Sequence, residues 1–401
     1  MRLSQGSWCT TVALMTTQNT IAVLGLGRMG GAMAARLASR GYDVVGWTRS
    51  GRRAPGAVRG AGKAHEAVAR ADVVLLALFD GPACQEVLDD VHGSLRTDTV
   101  VVNTSTIGPA EAARLARQFG PSYVHAPVLG SVPAVAAGAL RILAAADPGA
   151  LARARPVLEA LGTVRDAADA ATAAALKLIA NNGLAGAVLA LRDALRQADA
   201  LGLPRDRTLD ILELGGLGGL VARKRPFLLG GAPAVPAEFT IGALAKDMAL
   251  LADASNTPLR SATGVADEAV DPEADIAAAA TVPAAGEAVL APLRAYVRGH
   301  ATGDPAHFRA AFLPSAHVEG VRDGAFVSWS LDEYCALFPG RPAPDEPHRS
   351  RRVDTIDVHG SVATATMTLT HGTDTFTDVF LLVHTAHDGW RIGNKAYHRH
   401  I

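Results

Sequence analysis

Between Thr20 and about Ala145 the chain alternates short apolar runs with Ala-rich segments in which apolar residues recur every three or four positions. The runs TIAVLGL, DVVGW, DVVLLAL and TVVVN predict strands buried on both faces, and GGAMAARLASR, HEAVAR, PACQEVL and PAEAARLARQF predict helices between them. Strands and helices in alternation predict a parallel sheet with helices on both faces. A further strand, RILAAA, and a helix ending near Leu161 complete this unit. After about Asp169 the strand signal stops for more than a hundred residues. Ala171 to Leu201 contains no proline and predicts one helix of about 45 Å at 1.5 Å per residue, long enough to bridge two domains. Pro204, LGGLGGL and GGAPAVPAEF divide the rest into shorter helices up to about Ala280. A third pattern follows TVPAAG. Helices over Ala288 to His300 and Pro305 to Phe312 precede the β segments AHVEGV, HGSVATATMTLTH, TFTDVFLLVHTA and GWRIGNKAY, which predicts an α+β unit.

These changes of pattern divide the 401 residues into a leader over 1–18 without regular structure and three domains, at 19–166, 167–280 and 284–401. The leader lacks the apolar run of a signal-peptide core, and Met15 competes with Met1 as the start. With 38 Lys plus Arg against 39 Asp plus Glu, no excess of cations exists to neutralise phosphates, so a nucleic-acid partner is not expected. No stretch of about eighteen consecutive apolar residues lacks both charge and glycine, and a membrane span is not expected either. Cys9, Cys84 and Cys335 are odd in number and far apart, which suits a reducing, cytoplasmic setting.

Gly25-Leu26-Gly27-Arg28-Met29-Gly30 lies between the first strand and the first helix. In that place Gly25 permits a tight turn, Gly27 lets a pyrophosphate approach the backbone, and Gly30 lets helix and strand pack closely, with the helix N-terminus offering amides. The stretch after the second strand, Thr48-Arg49-Ser50-Gly51-Arg52-Arg53, contains no acid to hold an unmodified ribose. Arg49 and Arg52 can pair with a 2'-phosphate while Thr48 and Ser50 donate hydroxyls, so the expected cofactor is NADPH; a solvated basic loop is the competing reading.

Only five lysines stand against thirty-three arginines, which singles out Lys177 and Lys246 in Ala-rich helical segments. Lys177 and Asn181 are four residues apart and share a helix face. A partly desolvated lysine has a lowered pKa and can pass a proton to or from a carbonyl oxygen, and a neighbouring amide can orient that oxygen. The same residue could instead snorkel from a surface.

The run GLGRMGGAMAARL, followed by NTSTIGPAEA, HAPVLGSVPAVAAGAL, KLIANN and LAKDMALL, resembles in order and spacing the β-hydroxyacid dehydrogenase family, over about residues 20 to 280. The resemblance implies an α/β Rossmann domain plus an all-α domain, carbonyl reduction to a hydroxyl on a small-molecule substrate, and a homodimer joined through the long helix. It also implies that Lys177 is catalytic with Asn181 its companion. Gly25, Gly27, Arg28, Met29, Gly30, Leu78, Thr106 and Lys246 would contact the cofactor, and Ser105, Gly130, Ser131 and Asp247 the substrate. One departure bears on specificity. Where the family commonly reads APVSGG this chain reads Ala126-Pro127-Val128-Leu129-Gly130-Ser131, which removes a hydroxyl from the carboxylate site and admits a bulkier or less charged substrate. The related imine reductases generally carry Asp or Tyr in place of Lys177, and its retention favours carbonyl chemistry.

Residues 284–401 resemble the NTF2-like superfamily in its SnoaL-like and lumazine-binding branches, on the helix LAPLRAYVRGHATGDPAHF and the closing strand GWRIGNKAYHR. The resemblance implies a curved sheet and helices forming an α+β cone that can hold a ligand or a partner. His371, His384 and His398 fall on successive predicted strands but lack familiar ligand spacing, so no metal is expected. Trp329, Tyr334 and Trp390 are expected to line the cone. Three readings compete with the reductase: an imine reductase-like enzyme, a bifunctional fusion, and a non-catalytic NADPH-binding protein.

Overall fold

The computed structural model describes residues 19–230, 237–256, 271–281, 287–322 and 324–400; the leader at 1–18, and Cys9 within it, lie outside them. The described residues form two compact units, one ending at Ala280 and one beginning at Thr281.

The first unit opens with β1 (Thr20–Leu24), α1 (Arg28–Ser39), β2 (Asp43–Trp47), β3 (Arg59–Gly60), α2 (Ala64–Val68), β4 (Val73–Leu76), α3 (Gly81–Val91), β5 (Val100–Asn103), α4 (Pro109–Phe119) and β6 (Tyr123–His125). It continues through β7 (Val128–Leu129), α5 (Val132–Ala137), β8 (Leu140–Ala146), α6 (Pro148–Leu161) and β9 (Gly162–Asp166). The sheet order is β3-β2-β1-β4-β5-β6-β8-β7, with β9 beside β8. Ile21 to Leu24, Val73 to Leu76 and Val100 to Val102 are buried along their whole length because helices cover both faces of these strands. The buried residues of α1, Gly30, Met33, Ala34 and Leu37, follow the spacing of a single helix face.

One expectation needs correcting. The sheet is not parallel throughout: β8 runs antiparallel to both β6 and β7, while β9 lies parallel to β8. The short link through α5 brings the chain back beside its own previous strand, where an antiparallel partner needs no long crossover.

A single helix, α7 (Ala170–Ala200), follows, 31 residues long and capped by Asp169, whose carboxylate accepts the Thr172 N–H at 2.7 Å. Among the described residues it is the one helix long and apolar enough to cross a membrane, with 39% of the relevant window buried. Its apolarity reflects alanine and leucine packed against α4, β8 and α10 (Ile241–Ser255), and its inward face carries Lys177 and Asn181. Between α7 and α10 lie α8 (Arg205–Leu214) and α9 (Gly218–Leu228).

The second unit contains α11 (Glu287–Thr302), α12 (Pro305–Ala311), β10 (His317–Arg322), β11 (Ala325–Ser330), α13 (Leu331–Ala336), β12 (Ser350–His359), β13 (Val362–His371), β14 (Asp374–Thr385) and β15 (Gly389–His400). Its sheet order is β11-β10-β15-β14-β13-β12, antiparallel except where β10 meets β15. Register shifts at Val353/Thr355 and Leu381/Leu382 mark bulges of the kind that bend a sheet. Tyr296, Phe308, Phe312, Phe380 and Ile392 fill the core between helices and sheet. The sequence reading had four of these strands and omitted β11 and β12.

Candidate active site

Gly25 ends β1 with φ +100°, and its N–H donates to the Trp47 carbonyl at 2.8 Å. A Cβ there would run into the Ala77 carbonyl oxygen, and one on Gly30 into that of Gly25, so both positions exclude larger residues. Gly27 caps α1 and faces open space. No side chain caps this helix and no acid lies in its first turn, which leaves its N-terminal amides and positive dipole end turned toward the outer end of β1. That cradle fits the pyrophosphate of a dinucleotide.

The loop after β2 lies at the neighbouring strand end. Thr48 Oγ1 and Ser50 Oγ are 3.5 Å apart, and Arg49 pairs with Glu86 of α3 at 2.6 Å. Both partners are about two-thirds exposed, at 65% and 67%, so water screens the pair and leaves the guanidinium exchangeable. Arg52 is exposed as well. Thr48, Arg49, Ser50, Arg52 and the three glycines stand apart from the residues that line the cavities below.

Two adjoining cavities open between the sheet and the helices. The larger, about 180 Å³, is lined by Arg28, Met29, Leu78, Ser105, Thr106, Gly130, Lys177, Lys246 and Asp247 of the expected set. The smaller, about 100 Å³, is lined by Gly130, Ser131, Lys177 and Asn181. Lys177 and Gly130 therefore stand where the two meet. Ser105 Oγ accepts the Leu78 N–H at 2.9 Å, which fixes the start of the loop carrying Phe79. Lys246 Nζ donates to the Thr106 carbonyl at 2.9 Å and lies 5.2 Å from the centre of the Phe79 ring.

At the junction Lys177 Nζ donates to Asn181 Oδ1 at 3.2 Å, and Asn181 Nδ2 donates to Asp247 Oδ2 at 2.5 Å. All three side chains are buried. Asp247 Oδ1 lies 2.9 Å from Lys246 Nζ, but off hydrogen-bonding geometry, and takes no hydrogen bond. Burial lowers the Lys177 pKa to about 8; Asp247 opposes that fall and Lys246 adds to it. The amine thus changes charge near neutrality, with an amide to orient it and an unsatisfied carboxylate oxygen close by.

Gly130 has φ +130°, and a Cβ there would press on Leu140 and Ala134. Ser131 begins α5 without spending its hydroxyl on a cap. Leu129, by contrast, belongs to β7 and pairs with Arg141 of β8.

The sequence reading missed a third lysine. Lys224 of α9 reaches the smaller cavity and pairs with Asp275 at 2.8 Å and Glu238 at 3.0 Å. The scarcity of lysine was the signal that could have found it. Phe79 and Phe239, which wall the larger cavity, had no comparable signal.

Residues 20–174 match the family model for the NAD binding domain of 6-phosphogluconate dehydrogenase, and residues 284–398 match the one described as "Putative lumazine-binding". The chain is 36% identical over 205 residues to the "Probable 3-hydroxyisobutyrate dehydrogenase" of Mycobacterium tuberculosis, spanning 48% of this chain and 68% of that protein. It is 34% identical over 267 residues to the NAD-dependent L-serine dehydrogenase of Pseudomonas aeruginosa, spanning 60% of this chain and 88% of that one. The solved structure of the M. tuberculosis 3-hydroxyisobutyrate dehydrogenase with L-serine aligns at a TM-score of 0.58 and 29% identity, covering 66% of this chain and 98% of the other.

Proposed function

The chain belongs to the 3-hydroxyisobutyrate dehydrogenase family of NAD(P)-dependent oxidoreductases acting on CH–OH groups, and from that premise we propose that it interconverts a carbonyl and a hydroxyl with Lys177 as general acid and base and NADPH as the cofactor. The observation that carries this reading is the burial of Lys177 at the junction of the two cavities, hydrogen-bonded to Asn181 and with its pKa lowered to about 8. The cofactor supplies the hydride. In the reducing direction the Lys177 ammonium gives its proton to the carbonyl oxygen; in the oxidising direction the neutral amine takes it from the hydroxyl. Asn181, held by Asp247, keeps the amine aimed. Gly25, Gly27 and Gly30 hold the pyrophosphate, and Met29, Leu78 and Thr106 wall the larger cavity toward it. The acid-free loop with Arg49 and Arg52 supports NADPH over NADH.

Gly130 and Ser131 are the proposed carboxylate site. Leu129 narrows its polar surface, and Lys224 brings no free charge because two carboxylates already surround its ammonium. The proposed substrate is a hydroxy acid or its oxo partner with a weakened demand for the carboxylate. Two half-exposed apolar residues on α7, Leu176 at 45% and Ile179 at 57%, support pairing of two copies through this helix.

The test is NADPH oxidation against small aldehydes and 2-oxo and 3-oxo acids, and NADP+ reduction by 3-hydroxyisobutyrate and L-serine. Turnover of at least one of these should fall about a thousandfold in Lys177→Ala. Equal rates in the two proteins would remove the lysine from the mechanism.

A further inference from the structure

The smaller of the two cavities in the first unit has unlike ends. Gly130, Ser131, Lys177 and Asn181 make one end polar. At the other, Leu184, Leu220, Phe239 and Ile276 present side chains without a polar atom. Leu184 follows Lys177 by seven residues and Asn181 by three, so one face of α7 carries both the reacting pair and the start of the apolar wall. Leu220 of α9 and Ile276 are 6% and 2% exposed, yet each faces this space.

The charged groups around the apolar end are held by one another. Asp275 accepts Lys224 Nζ at 2.8 Å and the Glu238 N–H at 3.1 Å through Oδ2, and the Ala277 N–H at 3.0 Å through Oδ1. The Ile276 N–H donates to the Phe239 carbonyl at 3.0 Å. These bonds fix Phe239 and Ile276 beside each other and make the wall rigid. They also leave the Lys224 ammonium between two carboxylates. Arg223 is exposed, with its Nε bonded to the Gly219 carbonyl at 2.9 Å, so an anion drawn to it would remain in water. A substrate group reaching this end meets hydrocarbon and cancelled charge, and an anion there would lose its hydration for little return.

Size sets length. At about 30 Å³ for a water-sized group, the cavity of about 100 Å³ takes about three such groups beyond the reacting carbon at the junction.

We propose that the smaller cavity selects the side chain of the substrate: a 3-hydroxy acid, or its 3-oxo partner, bearing at C2 an unbranched alkyl chain of about three carbons, with Leu184, Leu220 and Ile276 setting the length. The position of the reacting carbon rests on the proposed chemistry at Lys177; the length limit rests on the apolar walls.

The experiment uses 3-hydroxypropanoates substituted at C2 by methyl, propyl, hexyl or 2-carboxyethyl, with NADP+ and NAD+ both supplied. The propyl acid should exceed the methyl acid in kcat/KM by about tenfold, as two more buried methylenes give. The hexyl acid should fall below the propyl acid. The 2-carboxyethyl acid, close to propyl in length, should fall at least about tenfold below it. Leu220→Phe should shrink the propyl-to-methyl ratio to about one, and Leu220→Ala should raise hexyl above propyl. Ratios between substrates cancel any general loss of activity, and thermal melts check that each variant is folded. Calorimetric titration of Lys177→Ala, with both dinucleotides present, should give the same order as affinities, free of turnover. Propyl bound no more tightly than methyl in that variant, 2-carboxyethyl preferred to propyl, or an order unmoved in the folded Leu220 variants overturns the proposal. Lys177 is judged separately, by whether its loss abolishes turnover of the best acid in the series.

Discussion

The titration of Lys177 gives the sharpest test of the proposed chemistry. Lowering a lysine from 10.5 to about 8 corresponds to about 3 kcal/mol of disfavour toward the charged form, most of it from desolvation. With a pKa of about 8 the amine is roughly nine-tenths protonated at pH 7 and one-tenth at pH 9. Carbonyl reduction, which needs the ammonium, should be flat at low pH and fall about tenfold per pH unit above about 8; alcohol oxidation should rise with pH and level off above the same point. The neighbours make the assignment specific. Asp247→Asn removes the charge that holds the pKa up and should move both limbs down by roughly one pH unit, while Lys246→Met removes a repelling charge and should move them up. Lys177→Arg should be as inactive as Lys177→Ala, since a guanidinium keeps its proton throughout this range. The assay is kcat/KM for one substrate in each direction from pH 6 to pH 10. Limbs that stay fixed in both neighbour variants would assign the titration to another group. The same lowered pKa has a stability consequence: between about 8 and 10.5 the unfolded chain binds the proton that the folded chain has lost, so folding should strengthen as pH rises across that window.

Arg49→Glu/Arg52→Glu should reduce the kcat/KM ratio of NADPH over NADH by about tenfold or more, because acids replace cations at the proposed 2'-phosphate site. Gly25→Ala should lower thermal stability, by about 2 kcal/mol, and abolish protection by NADPH in a melting assay, since its φ of +100° and the Ala77 carbonyl both oppose a side chain. Lys224→Met strands Asp275, which is 6% exposed, and should cost about 3 kcal/mol in chemical denaturation. Leu129→Ser should lower KM for carboxylate-bearing substrates several-fold with little change in kcat, by returning a hydroxyl beside Gly130.

The strands that the sequence revealed are those whose environment writes a pattern. β1, β4 and β5 are covered on both faces and read as unbroken apolar runs. β11 and β12 sit at the two edges of their sheet, and neither AFVSWS nor SRRVDTIDVH contains a buried residue, so neither shows a buried face to detect. The direction of β8 was equally hidden, because strand character does not encode which neighbour a strand joins. At the site, Lys177 and Asn181 were legible from a four-residue spacing on one helix. Their link to Asp247 depends on α7 and α10 packing together, and the triad of Lys224, Glu238 and Asp275 gathers residues from separate stretches of chain.

Lysine usage joins these observations across both units. Of the five lysines, Lys177, Lys224 and Lys395 are buried and Lys246 has only 18% of its side chain exposed, while thirty-three arginines account for nearly all the rest of the positive charge. Each of these four lies beside a carboxylate or one step from it: Asp247 for Lys177 and Lys246, Asp275 for Lys224, Asp378 for Lys395. On a surface the two cations exchange freely, but a guanidinium is planar, five-pronged and permanently charged, and needs room for its fork. A compact ammonium fits where a single point charge must meet one or two oxygens in a confined space, and it alone can release a proton near neutral pH. A chain that uses arginine almost everywhere else therefore marks, by its few exceptions, the confined polar places in its fold: the junction of two cavities in one unit and the floor of a third in the other.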